Sequence, residues 1–151
     1  VTRISAFGIS ATAPDHWEAR IFRHEDGEPT LHAATFPLPP SDGEFGSRAT
    51  RRMPAGGLFL SLTEYRGAGI DLGAGGLFGE PQPRTLEDAH LSSRALLQAR
   101  PGQRGVQRFF SASGRAFCLY VVVAGDGDRA RRRLEEVTHI LRSLEIHPEA
   151  V

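Results

Sequence analysis

Apolar positions alternate or cluster at strand spacing in three stretches of this chain and recur at helical spacing in a fourth. Residues 17–23 and 30–36 flank Asp26-Gly27, a dipeptide that tolerates the positive φ of a tight turn. With those two residues as the turn, Trp17 faces Phe36, Ala19 faces Ala34 and Ile21 faces His32, which predicts a hairpin with an aromatic pair on one face. Residues 106–112 and 115–124 are joined by Ser113-Gly114, and the matching register sets Phe110 opposite Phe117 and Arg108 opposite Leu119. The run Phe117-Cys-Leu-Tyr-Val-Val-Val-Ala124 is apolar on both faces, so it belongs in the middle of a sheet covered on both sides. Residues 57–65 read as a further strand, with Leu58, Leu60 and Leu62 on one face and Phe59, Ser61 and Thr63 on the other. Asp126 or Asp128 is placed to cap a helix running to about Ser143. Ala130, Leu134, Val137, Leu141 and Leu144 form its buried stripe; Arg131, Arg132, Glu135, Glu136, His139 and Arg142 form its solvated side.

The remaining chain is punctuated by glycine (17) and proline (10), which predicts long irregular connections. Residues 37–56 form one, with a short helix expected over 47–53. Residues 66–84 form a glycine-rich second, and 85–100 read as short extended pieces because Leu86, Leu91 and Leu96 recur at neither period. At 151 residues, 37 of them Leu, Ile, Val or Phe, the chain suffices for one folded domain over 1–151, with 146–151 expected to fray. No apolar run approaches the length of a membrane helix, and no membrane partner is expected.

Charge narrows the picture further. Eighteen basic residues balance eighteen acidic ones, so a nucleic-acid partner is not expected. All eighteen basic residues are arginine, and asparagine is also missing; both absent types use A-rich codons, which points to a high-GC bacterial genome. Val1 fits a GTG start or a chain whose leader has been removed. No signal-peptide pattern is visible, so a cytoplasmic location is expected, or an extracytoplasmic one if the N-terminus is truncated.

The motifs that carry chemistry are sparse. Residues 67–79 are glycine-rich, but Phe78 stands where a dinucleotide fingerprint needs its third glycine and no Lys-Ser/Thr follows, so the segment reads as plain loop. The six histidines show no paired metal spacing, Cys118 is alone within an apolar strand, and no Gly-x-Ser-x-Gly occurs. Adjacent Asp15 and His16 point to opposite sides of an extended segment, and the acidic cluster Glu25-Asp26-Gly27-Glu28 reads as a solvated turn rather than a calcium site. No catalytic residue, cofactor or metal is assigned. Arg129-Ala-Arg-Arg-Arg133 opens the predicted helix against its dipole, and Arg48, Arg51 and Arg52 stud the first connection.

Pro14-Asp-His-Trp17 near the start, the Gly114-Arg-Ala-Phe-Cys-Leu-Tyr-Val-Val-Val strand, and a closing helix that ends Ile140-Leu-Arg-Ser-Leu-Glu-Ile146 together resemble the PsbP-like and DcrB-like superfamily. The resemblance implies an α+β fold: an antiparallel sheet of five to six strands in an α/β/α sandwich, with the C-terminal helix on one face. It also implies a non-catalytic adaptor with no shared catalytic residues, as in photosystem assembly factors, a Ran-binding transport factor, and bacterial envelope or effector-chaperone proteins. The leading expectation is therefore an accessory domain that holds another protein, with Trp17, His32, Arg48, Arg51, Arg52 and Arg66 as candidate surface residues. The alternative is a small-ligand-binding or hydrolytic domain. Its pocket would lie between the Trp17–Phe36 hairpin and the loop over 66–80, where His16 or His32 would act with Arg20 or Arg66 on an anionic substrate.

Overall fold

A computed structural model describes residues 1–23, 27–40 and 46–148. The chain is α+β with two antiparallel sheets. Strands β1 (Thr2–Ala6), β2 (Ile9–Ala13) and β8 (Glu145–Ile146) form the smaller, in the order β1-β2-β8. The larger holds β3 (Glu18–Arg23), β4 (Pro29–Ala34), β5 (Leu58–Tyr65), β6 (Gln103–Ala112) and β7 (Arg115–Ala124), ordered β3-β4-β5-β7-β6. Two helices complete the fold: α1 (Ser47–Arg51) and the longer α2 (Gly127–Ser143).

Strand β7 is buried along its whole length, as an apolar run on both faces requires. Its odd-numbered side chains, with Leu58, Leu60 and Leu62 of β5, face the main core, which β2 and α2 close from the other side. The stripe along α2 supplies Ala130, Leu134, Val137, Ile140 and Leu141, and Leu144 follows at its C-cap. The opposite face of the sheet is covered mainly by irregular chain. Phe36, Leu38 and Ala49 pack on Phe59 there, and the Leu97 N–H donates to the Tyr120 hydroxyl at 2.9 Å. Segment 80–105 also passes the outer edge of β6, through Ser111 N–H to Glu80 C=O and the Ser92–Gly105 bridge.

The second hairpin has the register read from the sequence, Phe110 opposite Phe117 and Arg108 opposite Leu119, around Ser113 and Gly114 at φ 53° and 76°. The first hairpin is shifted by one residue: Ile21 pairs with Leu31 and Arg20 with His32. Trp17 never pairs with Phe36, because its N–H closes a turn onto Pro14 C=O before β3 begins. A one-residue shift exchanges faces, so Leu31 and Ala33 reach the main core and His32 the opposite side. Asp26 of the expected turn lies outside the described residues, as do His24 and Glu25.

Three further expectations are corrected. The single sheet is two, because residues 2–13 form a hairpin of their own, turning at Phe7 and Gly8 (φ 53° and 76°), that pairs with β8 instead of joining the larger sheet. The stretch 85–100 contains two 3-10 turns, Asp88–His90 and Ser93–Ala95. Ile146 is no frayed end: it pairs with Ile9, and the next N–H, of His147, donates to Gly8 C=O at 2.8 Å.

A buried ion pair between neighbouring strands of the larger sheet, β5 and β7, lies where both hairpin tips meet the C-terminal strand, and its arginine reaches across to the chain that follows β8. Arg115 donates through Nε and Nη2 to the two Glu64 oxygens at 2.9 and 2.8 Å, and through Nη1 to His147 C=O at 3.0 Å. Gly8 is demanded here twice over, by its positive φ and because a Cβ would lie 2.7 Å from Arg115 Nη1. Burial alone would raise the Glu64 carboxyl, but hydrogen bonds and charge from Arg115 and Arg66 outweigh it and hold the group below its ordinary 4.5.

Removing one partner strands the other charge in the interior. Glu64→Ala and Arg115→Ala are each expected to cost about 3–5 kcal/mol in urea unfolding, whereas replacing both by leucine costs less than either single change. In the parent, the pair's contribution is complete above the unfolded carboxyl's range and is lost as pH falls through the lowered folded value. A double variant less stable than both singles would contradict this.

Candidate functional site

The densest polar cluster among the described residues lies where segment 14–17 meets α2. The Pro14–Trp17 turn drives the indole into the main core, 7% exposed, and leaves its N–H facing the helix. Trp17 Nε1 donates to Glu136 Oε2 at 2.6 Å, His16 Nε2 lies 2.5 Å from the same oxygen, and Arg133 Nη1 donates to Oε1 at 2.8 Å. Arg133 and Glu136 are three residues apart on α2, hence on one side of the helix. Arg133 Nε also donates to Gly56 C=O at 3.2 Å, drawing the turn before β5 into the cluster. A carboxylate already accepting from these donors acts as a clamp: its lone pairs are committed to positioning the helix.

The six surface candidates do not share a site. Trp17 belongs to the main core, whereas His32 lies across the sheet, 1% exposed, between Phe22 and Phe59, each ring edge-on at 5.0 Å. Cross-strand pairing does bring Arg20 beside His32, but Arg20 donates to Pro39 C=O and the imidazole is enclosed. Arg66 donates to Glu64 Oε1 at 3.1 Å, at the seam between the sheets. Arg48, Arg51 and Arg52 do stand together and exposed, in and just after α1. Cys118 is buried within β7, and burial pushes its thiol up to about 12, a group inert near neutral pH.

A groove of about 420 Å³ runs between α2 and residues 86–88. Leu86 and Leu134 floor it, and Glu135, His139 and Arg142 stand on its rim in solvent. Asp88 on the opposite rim is tied to Arg104 at 3.0 Å, a hydrogen bond that holds its carboxyl below the usual range. The ionisable groups are thus spread along the rim. The sequence placed these α2 residues on the solvated side correctly, but the facing wall comes from the stretch with no readable period.

The glycine-rich loop is built from successive turns. Asp71 Oδ1 accepts from Gly73 N–H at 2.8 Å, Gly76 N–H donates to Gly73 C=O, and Gly79 N–H to Gly76 C=O. Phe78 anchors it beneath, 6% exposed, with ring centroids 5.8 Å from both Tyr65 and Phe109. Its neighbour Leu77 is 61% exposed, and Leu72 on the same loop is 37% exposed. The anchor was hidden in the sequence because one phenylalanine amid glycines has no period.

No protein-family model, curated protein or solved structure matches this chain. None of its helices, over the described residues, is long and apolar enough to cross a membrane.

The clamp reading is tested on the single tryptophan. Glu136→Ala is expected to lower stability by about 1.5–3 kcal/mol, the contribution of hydrogen bonds to a charged group. Trp17 emission should shift to the red as water reaches the indole N–H. Unchanged emission and stability would show that the clamp is idle.

Proposed function

We propose that this chain is a non-catalytic accessory domain that binds another protein through the loop layer on the second face of its large sheet. The observation that carries this reading is the pairing of Phe78, held among Tyr65 and Phe109, with Leu77 and Leu72 turned to solvent on the same loop. An apolar side chain displayed on an anchored loop offers contact area at small ordering cost, the usual economy of a binding loop on a rigid scaffold.

The PsbP-like affiliation is part of this proposal. It is supported by where its motifs lie. Trp17 of Pro14-Asp-His-Trp17 is clamped to Glu136 on α2. Ser143 of the closing Leu-Arg-Ser-Leu accepts from Thr12 N–H at 2.8 Å and donates to Ile140 C=O at 2.7 Å. Both motifs thus tie α2 to the N-terminal segments, a shared task that gives residues of these types a reason to recur together.

Replacing Leu72 and Leu77 with aspartate is expected to change thermal unfolding little, since Leu77 is 61% and Leu72 37% exposed. The same change should abolish capture of a discrete protein from an extract of the source cells, followed by quantitative mass spectrometry. Identical captured sets for the parent and the double variant would overturn the proposal.

A further inference from the structure

One end of the molecule gathers five exposed arginines that have no carboxylate partner among the described residues. Four contacts bring α1, the starts of β5 and β6, and the N-terminal half of α2 together there. Gln103 Nε2 donates to Thr50 C=O in α1 at 2.8 Å, and Gly56 N–H donates to Ala124 C=O at 2.8 Å. Arg133 reaches Gly56 C=O, and Arg129 packs so closely on Gly56 that a Cβ there would lie 2.3 Å from its Cδ. The result places Arg48, Arg51, Arg52, Arg129 and Arg132 on one exposed surface, and none of the five is within ion-pair distance of a carboxylate among the described residues. Of the acids at the start of α2, Asp128 is taken by Arg131 at 2.7 Å, and Asp126 is the N-cap residue without a side-chain capping hydrogen bond.

Several arginines elsewhere meet acids, Arg3 with Glu145, Arg66 and Arg115 with Glu64, Arg104 with Asp88 and Arg133 with Glu136, whereas others, Arg94 and Arg108 among them, have no such partner among the described residues. A high-GC genome explains why the basic residues are arginine; it does not explain why five of the unmatched ones stand at α1 and the start of α2 in a chain with no net charge. Two of them, Arg129 and Arg132, with Arg131 and Arg133, also crowd the start of α2, where positive charge opposes the helix dipole. A bound anion would relieve both penalties.

We propose that this arginine pole docks an acidic segment of a partner protein. Arginine's planar fork pairs bidentately with carboxylates, which suits a run of aspartate or glutamate. Two other anionic partners fit less well. The exposed large apolar residues are Val1, Phe7, Leu72, Leu77 and Leu97, none of them within α1 or α2. Among the described residues, the pole therefore presents no exposed aromatic ring on which single-stranded bases could stack and no exposed large apolar side chain to insert into a lipid surface. The balanced overall charge also withholds the broad basic footprint that duplex binding uses. The inference takes from the preceding section only that the partner is a protein. It does not use Leu72 or Leu77, so the two surfaces can fail separately.

The test is fluorescence anisotropy at low ionic strength with a labelled oligoglutamate peptide as probe. The parent chain is expected to bind it saturably, and Arg51→Glu/Arg52→Glu/Arg132→Glu to weaken binding by at least about tenfold. The corresponding glutamine triple variant, which deletes charge without adding repulsion, should weaken binding less. Arg94→Glu/Arg108→Glu, two exposed arginines elsewhere, should leave it unchanged. Circular dichroism melts of all variants establish that folding is preserved, and the glutamine series decides the matter if charge reversal unfolds the chain. Failure of the parent to bind, equal loss in the Arg94/Arg108 variant, or tighter binding of an oligothymidylate of equal charge or of phosphatidylglycerol vesicles would overturn the proposal.

Discussion

A strand buried on both faces constrains everything around it, because each face must be closed by something and every backbone group along it must be paired. In this molecule that strand is β7, flanked by β5 and β6 over ladders that run its full length. The chain has one long helix with which to meet the demand. Helix α2 closes part of one face, and the small β1-β2-β8 sheet closes the rest, which accounts for the main core being drawn from both sheets. The other face is left to irregular chain held down at a few points: Phe36 on Phe59, Phe78 between Tyr65 and Phe109, and Leu97 on the Tyr120 hydroxyl.

This division of labour explains the unusual share of glycine and proline. Chain that must follow a sheet surface without regular hydrogen bonding uses turns, and turns use those residues. The surfaces free to vary are the tops of these covers and the end where α1 and α2 meet, whereas the polar groups inside are spent on joining layers. Arg115, held by Glu64 within the larger sheet, reaches His147 C=O just after β8, and Glu136 fastens the segment before β3 to the helix. The main-core seam is electrostatic at both ends and apolar between them.

Local signals carried much of this fold. The Ser113-Gly114 turn gave the right register because a two-residue turn fixes the pairing geometrically, and the stripe on α2 repeated long enough to define its buried side. The first hairpin slipped by one residue because Asp26-Gly27 is a strong turn signal, while the length of the connection was decided by tertiary demand: Leu31 and Ala33 had to reach the core. Strand β1 escaped notice because it is mostly exposed and its turn uses Phe7 at positive φ, a residue no turn preference selects. Glu64 and Arg115, fifty-one residues apart, had no sequence pattern that could join them. Of the candidate surface, the Arg48, Arg51 and Arg52 group was legible because neighbours on a short helix stay neighbours. Trp17 and His32 were grouped by a register that the fold does not adopt.

Native-state hydrogen exchange tests the central claim most directly, that a sealed central strand is closed on one side by regular structure and on the other by a pinned, irregular cover. Amides of β5 and β7 should form the slowest class and exchange through global unfolding, while Gly76, Gly79 and Leu97 of the cover exchange faster through openings that leave the sheet intact. Amides of β7 exchanging as fast as those of the cover would contradict the account, since the strand would then not be sealed on both faces.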